Sequence, residues 1–119
     1  MTIKDEEIVV AKLMVHKDRV QSRITKLDRE EKQFKDKALL LAKSDKKDEA
    51  IYAMRQSKRC KEYKKAAYLR LEFMDKQLEN IENAQDDAAF TKLLADSNRV
   101  IEKLNSEIDI EEIQQAKEL

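Results

Sequence analysis

Apolar residues recur three and four positions apart from about Lys4 to Ala42: Val10, Leu13, Val20, Ile24, Leu27, Phe34, Ala38 and Leu41, with Lys17 and Glu31 interrupting the stripe. A repeat of about 3.5 residues marks a helix that faces another long helix. A first helix is therefore predicted over 1–43, on the order of 60 Å long at a rise of about 1.5 Å per residue. Ser44-Asp45-Lys46-Lys47-Asp48 interrupts the pattern, and Ser44 or Asp45 is placed to cap a second helix over 48–84. The seam of that helix reads Ala53, Ser57, Cys60, Lys64, Ala67, Leu71, Met74, Leu78 and Ile81. So short a connection makes the two helices antiparallel neighbours.

Beyond Ile81 the pattern is softer. Asn83-Ala84-Gln85-Asp86-Asp87 holds no breaker, so a third helix over 86–107 is able to fuse with the second. Phe90, Leu93, Leu94, Val100, Ile101 and Leu104 are its apolar residues. Asp109, three residues before Glu112, resembles a capping box and predicts a fourth helix over 109–119 carrying Ile110, Ile113 and Ala116. The expectation is an all-α single domain over 1–119, a long antiparallel helical hairpin followed by two shorter helices.

Composition sharpens this picture by exclusion. Glycine and proline are both absent from the 119 residues, where an average chain would carry roughly 8 and 6. Primed hairpin turns, glycine-rich phosphate loops and nucleophile elbows all lean on glycine, so they are excluded with it. Cys60 is the single cysteine, which rules out an internal disulfide framework and fits a reducing, cytoplasmic setting. At a seam position it reads as a small core residue. His16, the one histidine, has no metal-ligand spacing beside it and reads as a surface residue. With acids scattered along helices and no nucleophile–base pattern, neither an enzyme nor a cofactor or metal site is expected. No apolar run is long enough to span a bilayer, and Met1-Thr2-Ile3-Lys4-Asp5-Glu6-Glu7 is unlike a signal peptide.

Net charge is zero, but the signs are segregated. Residues 1–70 carry 20 Lys/Arg against 12 Asp/Glu, and residues 71–119 carry 5 against 13. Between Ala50 and Arg70 seven basic residues face one acid, Glu62. Segregation of this kind suits either an anionic partner or the pairing of one part of the chain with another. Nucleic acid is not expected, because no basic zipper, helix-turn-helix cue or aromatic interleaving accompanies the charge. Tyr52, Tyr63 and Tyr68 read as packing residues. An anionic membrane surface fits better: Lys12, His16, Arg19, Arg23 and Lys26 flank the first seam, and each cation near such a leaflet contributes about 1 kcal/mol.

The opening turns pose a separate question. Ile8, Val9, Val10, Ala11, Leu13, Met14 and Val15 spread apolar groups around more than half the helix, whereas a two-helix hairpin buries one stripe. Later helices folding back, another protein docking, or a buried strand built on Ile-Val-Val would each cover the excess.

The layout resembles the ESCRT-III family, the charged multivesicular body proteins. The likeness is carried by Asp45-Lys46-Lys47-Asp48-Glu49-Ala50 at the elbow, Met54-Arg55-Gln56-Ser57-Lys58-Arg59, Leu78-Glu79-Asn80-Ile81-Glu82-Asn83-Ala84, and Asn105-Ser106-Glu107-Ile108-Asp109-Ile110-Glu111-Glu112-Ile113. Ile3-Lys4-Asp5-Glu6-Glu7-Ile8-Val9-Val10-Ala11-Lys12-Leu13 is most similar to the subunit that couples ESCRT-II to filament growth. The resemblance implies assembly with sister ESCRT-III subunits as a homo- or hetero-oligomer, peripheral on endosomal membrane, in membrane remodelling and endosomal sorting. It implies that Lys12, Arg19, Arg23, Lys26, Lys58, Arg59, Lys61, Lys64 and Lys65 face acidic lipid. It further implies that Ile8, Val9, Leu13 and Met14 dock on a winged-helix subunit of ESCRT-II. Thr2 stands where the coupling subunit has an acylated glycine, the elbow lacks the family's glycine, and these 119 residues hold no counterpart of the family's acidic tail. The alternative is a coiled-coil adaptor or homodimer without a membrane role.

Overall fold

The computed structural model describes residues 2–84 and 86–118, with side chains from Glu6 onward. Met1 and Leu119, the outer bounds of the expected helices, lie outside the described residues, as does Gln85. The described residues form three helices: α1 (Thr2–Lys43), α2 (Lys47–Glu82) and α3 (Asp87–Glu118). No strand occurs among the described residues, so the Ile-Val-Val run is helical.

The elbow between α1 and α2 is turned without glycine. Asp45 takes up a φ of 61°, a left-handed conformation that aspartate tolerates better than most residues. Lys46 N–H donates to Leu41 O at 2.9 Å and Asp45 N–H to Ala42 O at 3.2 Å, the paired bonds of a Schellman ending. Ser44 Oγ also turns back, donating to Leu40 O. The polar cluster thus terminates α1, where the sequence suggested that it would start α2.

Two further differences concern the chain's second half. α2 and α3 do not fuse: Asp86 Oδ1 accepts from Ala89 N–H at 2.7 Å, an N-cap that starts α3. The expected third and fourth helices are one. Asp109 caps nothing because its carboxylate is taken by Arg19, and no glycine or proline forces a break.

The chain packs as two compact units, Val20–Leu69 and Met1–Arg19 with Arg70–Leu119. The first is a helical hairpin. Val20, Leu27 and Ala38 of α1 are buried there with Ala50, Ala53, Cys60 and Ala67 of α2. Ala53, Cys60 and Ala67 fall seven apart, and their small side chains allow α2 to approach α1 closely. Ser57 Oγ reaches Glu31 O at 3.1 Å, and Lys64 Nζ reaches Asp28 and Glu31 at 2.9 and 2.7 Å, pairings that fix an antiparallel register.

The second unit is a three-helix bundle. Val9 and Leu13 of α1, Met74 and Ile81 of α2, and Leu94, Ile101 and Ile108 of α3 form its core. Leu13, Met74 and Ile108 are fully enclosed, each burial contributing about 2 kcal/mol. Polar contacts set the helix directions. Lys17 Nζ meets Asp75 at 2.6 Å; Arg19 meets Asp109 at 2.5 Å. Arg70 forms a two-pronged pair with Glu111 at 2.6 and 3.0 Å.

Candidate functional site

The hairpin unit carries a groove of about 710 Å³ between α1 and α2. Ala38, Ala42 and Ala50 keep the floor shallow, and Leu39, Ile51 and Met54 form its apolar walls. All three of these larger residues are exposed. Lys35 of α1 and Arg55, Lys58, Lys61 and Lys65 of α2 stand around it, against Glu31 and Glu62. Positions three, four and seven apart share a helix face, so local spacing alone brings Arg55, Lys58 and Lys65 to one side. The arrangement suits an anionic surface or an amphipathic segment with acidic flanks.

The expected lipid-facing residues divide into two sets. Lys12, Lys26, Lys58, Arg59, Lys61 and Lys65 are exposed. Lys12 touches Asn98 at 3.5 Å and Lys26 stands 3.9 Å from Glu30. Arg19, Arg23 and Lys64 turn inward instead. Arg19 donates to Asn105 and lies against Asp109 and Glu112 of α3. Arg23 is buried, its guanidinium 5.6 Å from the centre of the Tyr63 ring, a cation–π distance. Lys64 is held between two carboxylates. Its hydrogen bonds to Glu31 and then Asp28 raise its pKa, while Lys64 and Lys32 lower that of Asp28. These three side chains hold the helices together.

The docking residues divide as well. Val9 and Leu13 are sealed, with 2% and 1% of their surface exposed, whereas Ile8 and Met14 are 52% and 56% exposed. Val15, absent from the expected set, is the most open at 69%. Folding back by a later helix therefore covers one side of the opening turns: Leu94 and Ile101 of α3 are buried with Val9 and Leu13, and Phe90, Thr91, Ala95 and Asn98 line a cleft with Ile8 and Val9. A groove of about 560 Å³ lined by Ile8, Ala11, Val15 and Ile101 remains along the α1–α3 line.

His16 is buried and hydrogen-bonded to Asn105, contrary to a surface placement. Cys60 is buried in the seam as expected. Tyr63 packs under Arg23, but Tyr52 and Tyr68 are exposed. Among the described residues no cluster of His, Cys, Asp or Glu is suited to hold a metal ion, and no helix is long and apolar enough to cross a membrane.

Long helices that leave cationic and apolar side chains exposed along their grooves present surfaces suited to contact with other molecules. The Snf7 family profile matches residues 9–117. The chain belongs to the Snf7 family, the ESCRT-III proteins, which are structural and non-enzymatic. Family members polymerise with other ESCRT-III subunits, bind membranes peripherally and act in membrane remodelling and protein transport. Comparisons with curated proteins and with solved structures returned no match.

Proposed function

We propose that this chain is an ESCRT-III subunit that attaches to acidic membrane through its hairpin unit and assembles with sister subunits in endosomal sorting. The observation that carries the reading is the row of exposed cations, Lys58, Lys61 and Lys65, beside the exposed Leu39, Ile51 and Met54. Several cations on a rigid helix give adhesion that is real but screened by salt. Lys12, Lys26 and Arg59 are further candidates for headgroup contact. Sedimentation with vesicles of acidic or neutral lipid tests the reading: the protein is expected to pellet with acidic vesicles at low salt and to be released as salt rises. Pelleting indifferent to lipid charge would favour the adaptor or homodimer reading.

Coupling to ESCRT-II belongs to the same proposal and narrows to the exposed residues. Ile8 and Met14 remain presentable to a winged-helix partner, with Val15 beside them, whereas Val9 and Leu13 support the helix from within. The informative substitution is thus Met14→Asp. It is expected to weaken binding to an ESCRT-II winged-helix subunit at least tenfold, with helical content and melting unchanged. Titration calorimetry reads the affinity, and an unchanged value would count against the coupling role.

A further inference from the structure

His16 occupies a seam position between Leu13 and Val20, with 2% of its surface exposed. Its Nδ1 lies 2.7 Å from Asn105 Oδ1 on α3, and the same oxygen accepts from Arg19 Nη1 at 2.9 Å. An oxygen shared by two donors fixes the ring. Nδ1 carries the proton, and Nε2 is the basic nitrogen. Nε2 is buried and has no hydrogen-bond partner among the described residues.

The charged surroundings come from all three helices. α1 supplies Arg19 and, one turn earlier, Lys12. α2 supplies Arg70. α3 supplies Glu102 at the edge of the neighbouring groove, Asp109 and Glu112 on Arg19, and Glu107 and Glu111 on Arg70. Those last four carboxylates are engaged by guanidinium groups, and the ring's hydrogen bond goes to a neutral amide. Burial first, and then Arg19 and Arg70, hold the imidazole below its ordinary value of 6.5, with the Asn105 bond opposing them.

We propose that His16 is a proton-operated latch on α3: neutral, it ties α3 to α1 through Asn105; protonated on Nε2, it keeps that bond but carries an unpaired charge into the seam, and α3 is released from the opening turns. A proton on Nε2 places charge on a buried nitrogen with no hydrogen-bond partner among the described residues, within electrostatic reach of Arg19 and Arg70, so the docked form takes it up less readily than the undocked form. Docking is complete above the ordinary histidine value and weakens as pH falls below it. One proton changes the open population by at most about tenfold per pH unit. Release uncovers Val9 and Leu13 and frees Arg19 from its partners on α3. The latch rests on the bundle unit alone and is independent of the membrane reading.

His16 is the only histidine in the chain, so its ring proton resonance reports one site without ambiguity. The expected midpoint lies below 6.5. Hydrogen exchange across α3, corrected for the intrinsic pH dependence of exchange, is expected to show opening rising towards tenfold between pH 7.5 and 5.5. His16→Asn, whose amide can donate to Asn105 but does not titrate, is expected to remove that rise. A midpoint at or above 6.5, or an equal rise in His16→Asn, would overturn the latch. If His16→Asn does not fold, the midpoint and exchange ratio of the unaltered protein decide the matter. No vesicle enters either measurement, so failure here leaves the membrane proposal untouched.

Discussion

Reversing Lys58, Lys61 and Lys65 together, as Lys58→Glu, Lys61→Glu and Lys65→Glu, is expected to abolish binding to acidic vesicles. Each lysine near an anionic leaflet contributes about 1 kcal/mol, so loss of three attractions removes about 3 kcal/mol before repulsion is counted. That is more than a hundredfold in partition coefficient. All three side chains are exposed, and surface changes of this kind usually shift stability by less than about 0.5 kcal/mol. The variant should therefore melt like the parent while failing to sediment with acidic lipid. Retained binding at physiological salt would move the attachment site elsewhere. Lys64 lies in the same stretch but bridges Asp28 and Glu31, so reversal there would test the hairpin's integrity instead of its contact with lipid.

Arg70→Met is expected to give the largest loss of stability from one substitution. The side chains of Arg70 and Glu111 are 10% and 17% exposed and joined by two hydrogen bonds. Glu107 stands 3.8 Å away on the same guanidinium. Removing one partner of a buried pair leaves the other charge uncompensated, which costs about 3–5 kcal/mol. Here two carboxylates of α3 would lose their cation at once. Urea unfolding should show a lower midpoint, and hydrogen exchange should place the loss in α3. Glu111→Gln in the Arg70→Met background should restore part of the stability, because it removes the stranded charge. A midpoint unchanged by Arg70→Met would mean that hydrocarbon contacts alone hold the third helix.

The buried seams of α1 and α2 were legible in large part because their information is local. Leu13, Val20, Leu27 and Ala38 on α1, and Ala53, Cys60, Ala67, Met74 and Ile81 on α2, follow the seam spacing and are buried. Val9 is buried where the apolar stripe pointed to Val10, and two further missed positions share one cause. His16 and Arg23 lie on the seam, but a search for apolar letters passes over them to Lys17 and Ile24. What permits their burial is distant in sequence: Asn105 for His16, Tyr63 for Arg23. No local window contains both halves of such a pair. For the same reason the internal partners of Arg19, Arg23 and Lys64 were not legible, since these side chains are cationic by composition and turned inward by residues distant in sequence. Asp109 was a plausible cap until Arg19 claimed its carboxylate. Exposure at Ile8 and Met14 against enclosure at Val9 and Leu13 became visible only with α3 in place.

The elbow has a further thermodynamic meaning. Because Asp45 accepts a left-handed backbone, the polypeptide reverses direction without its most pliable building block. A denatured chain lacking glycine throughout samples fewer conformations per residue, so folding gives up less disorder. The absence of proline works the other way and frees the denatured chain, so the two missing residue types oppose one another in an ensemble that no native contact records.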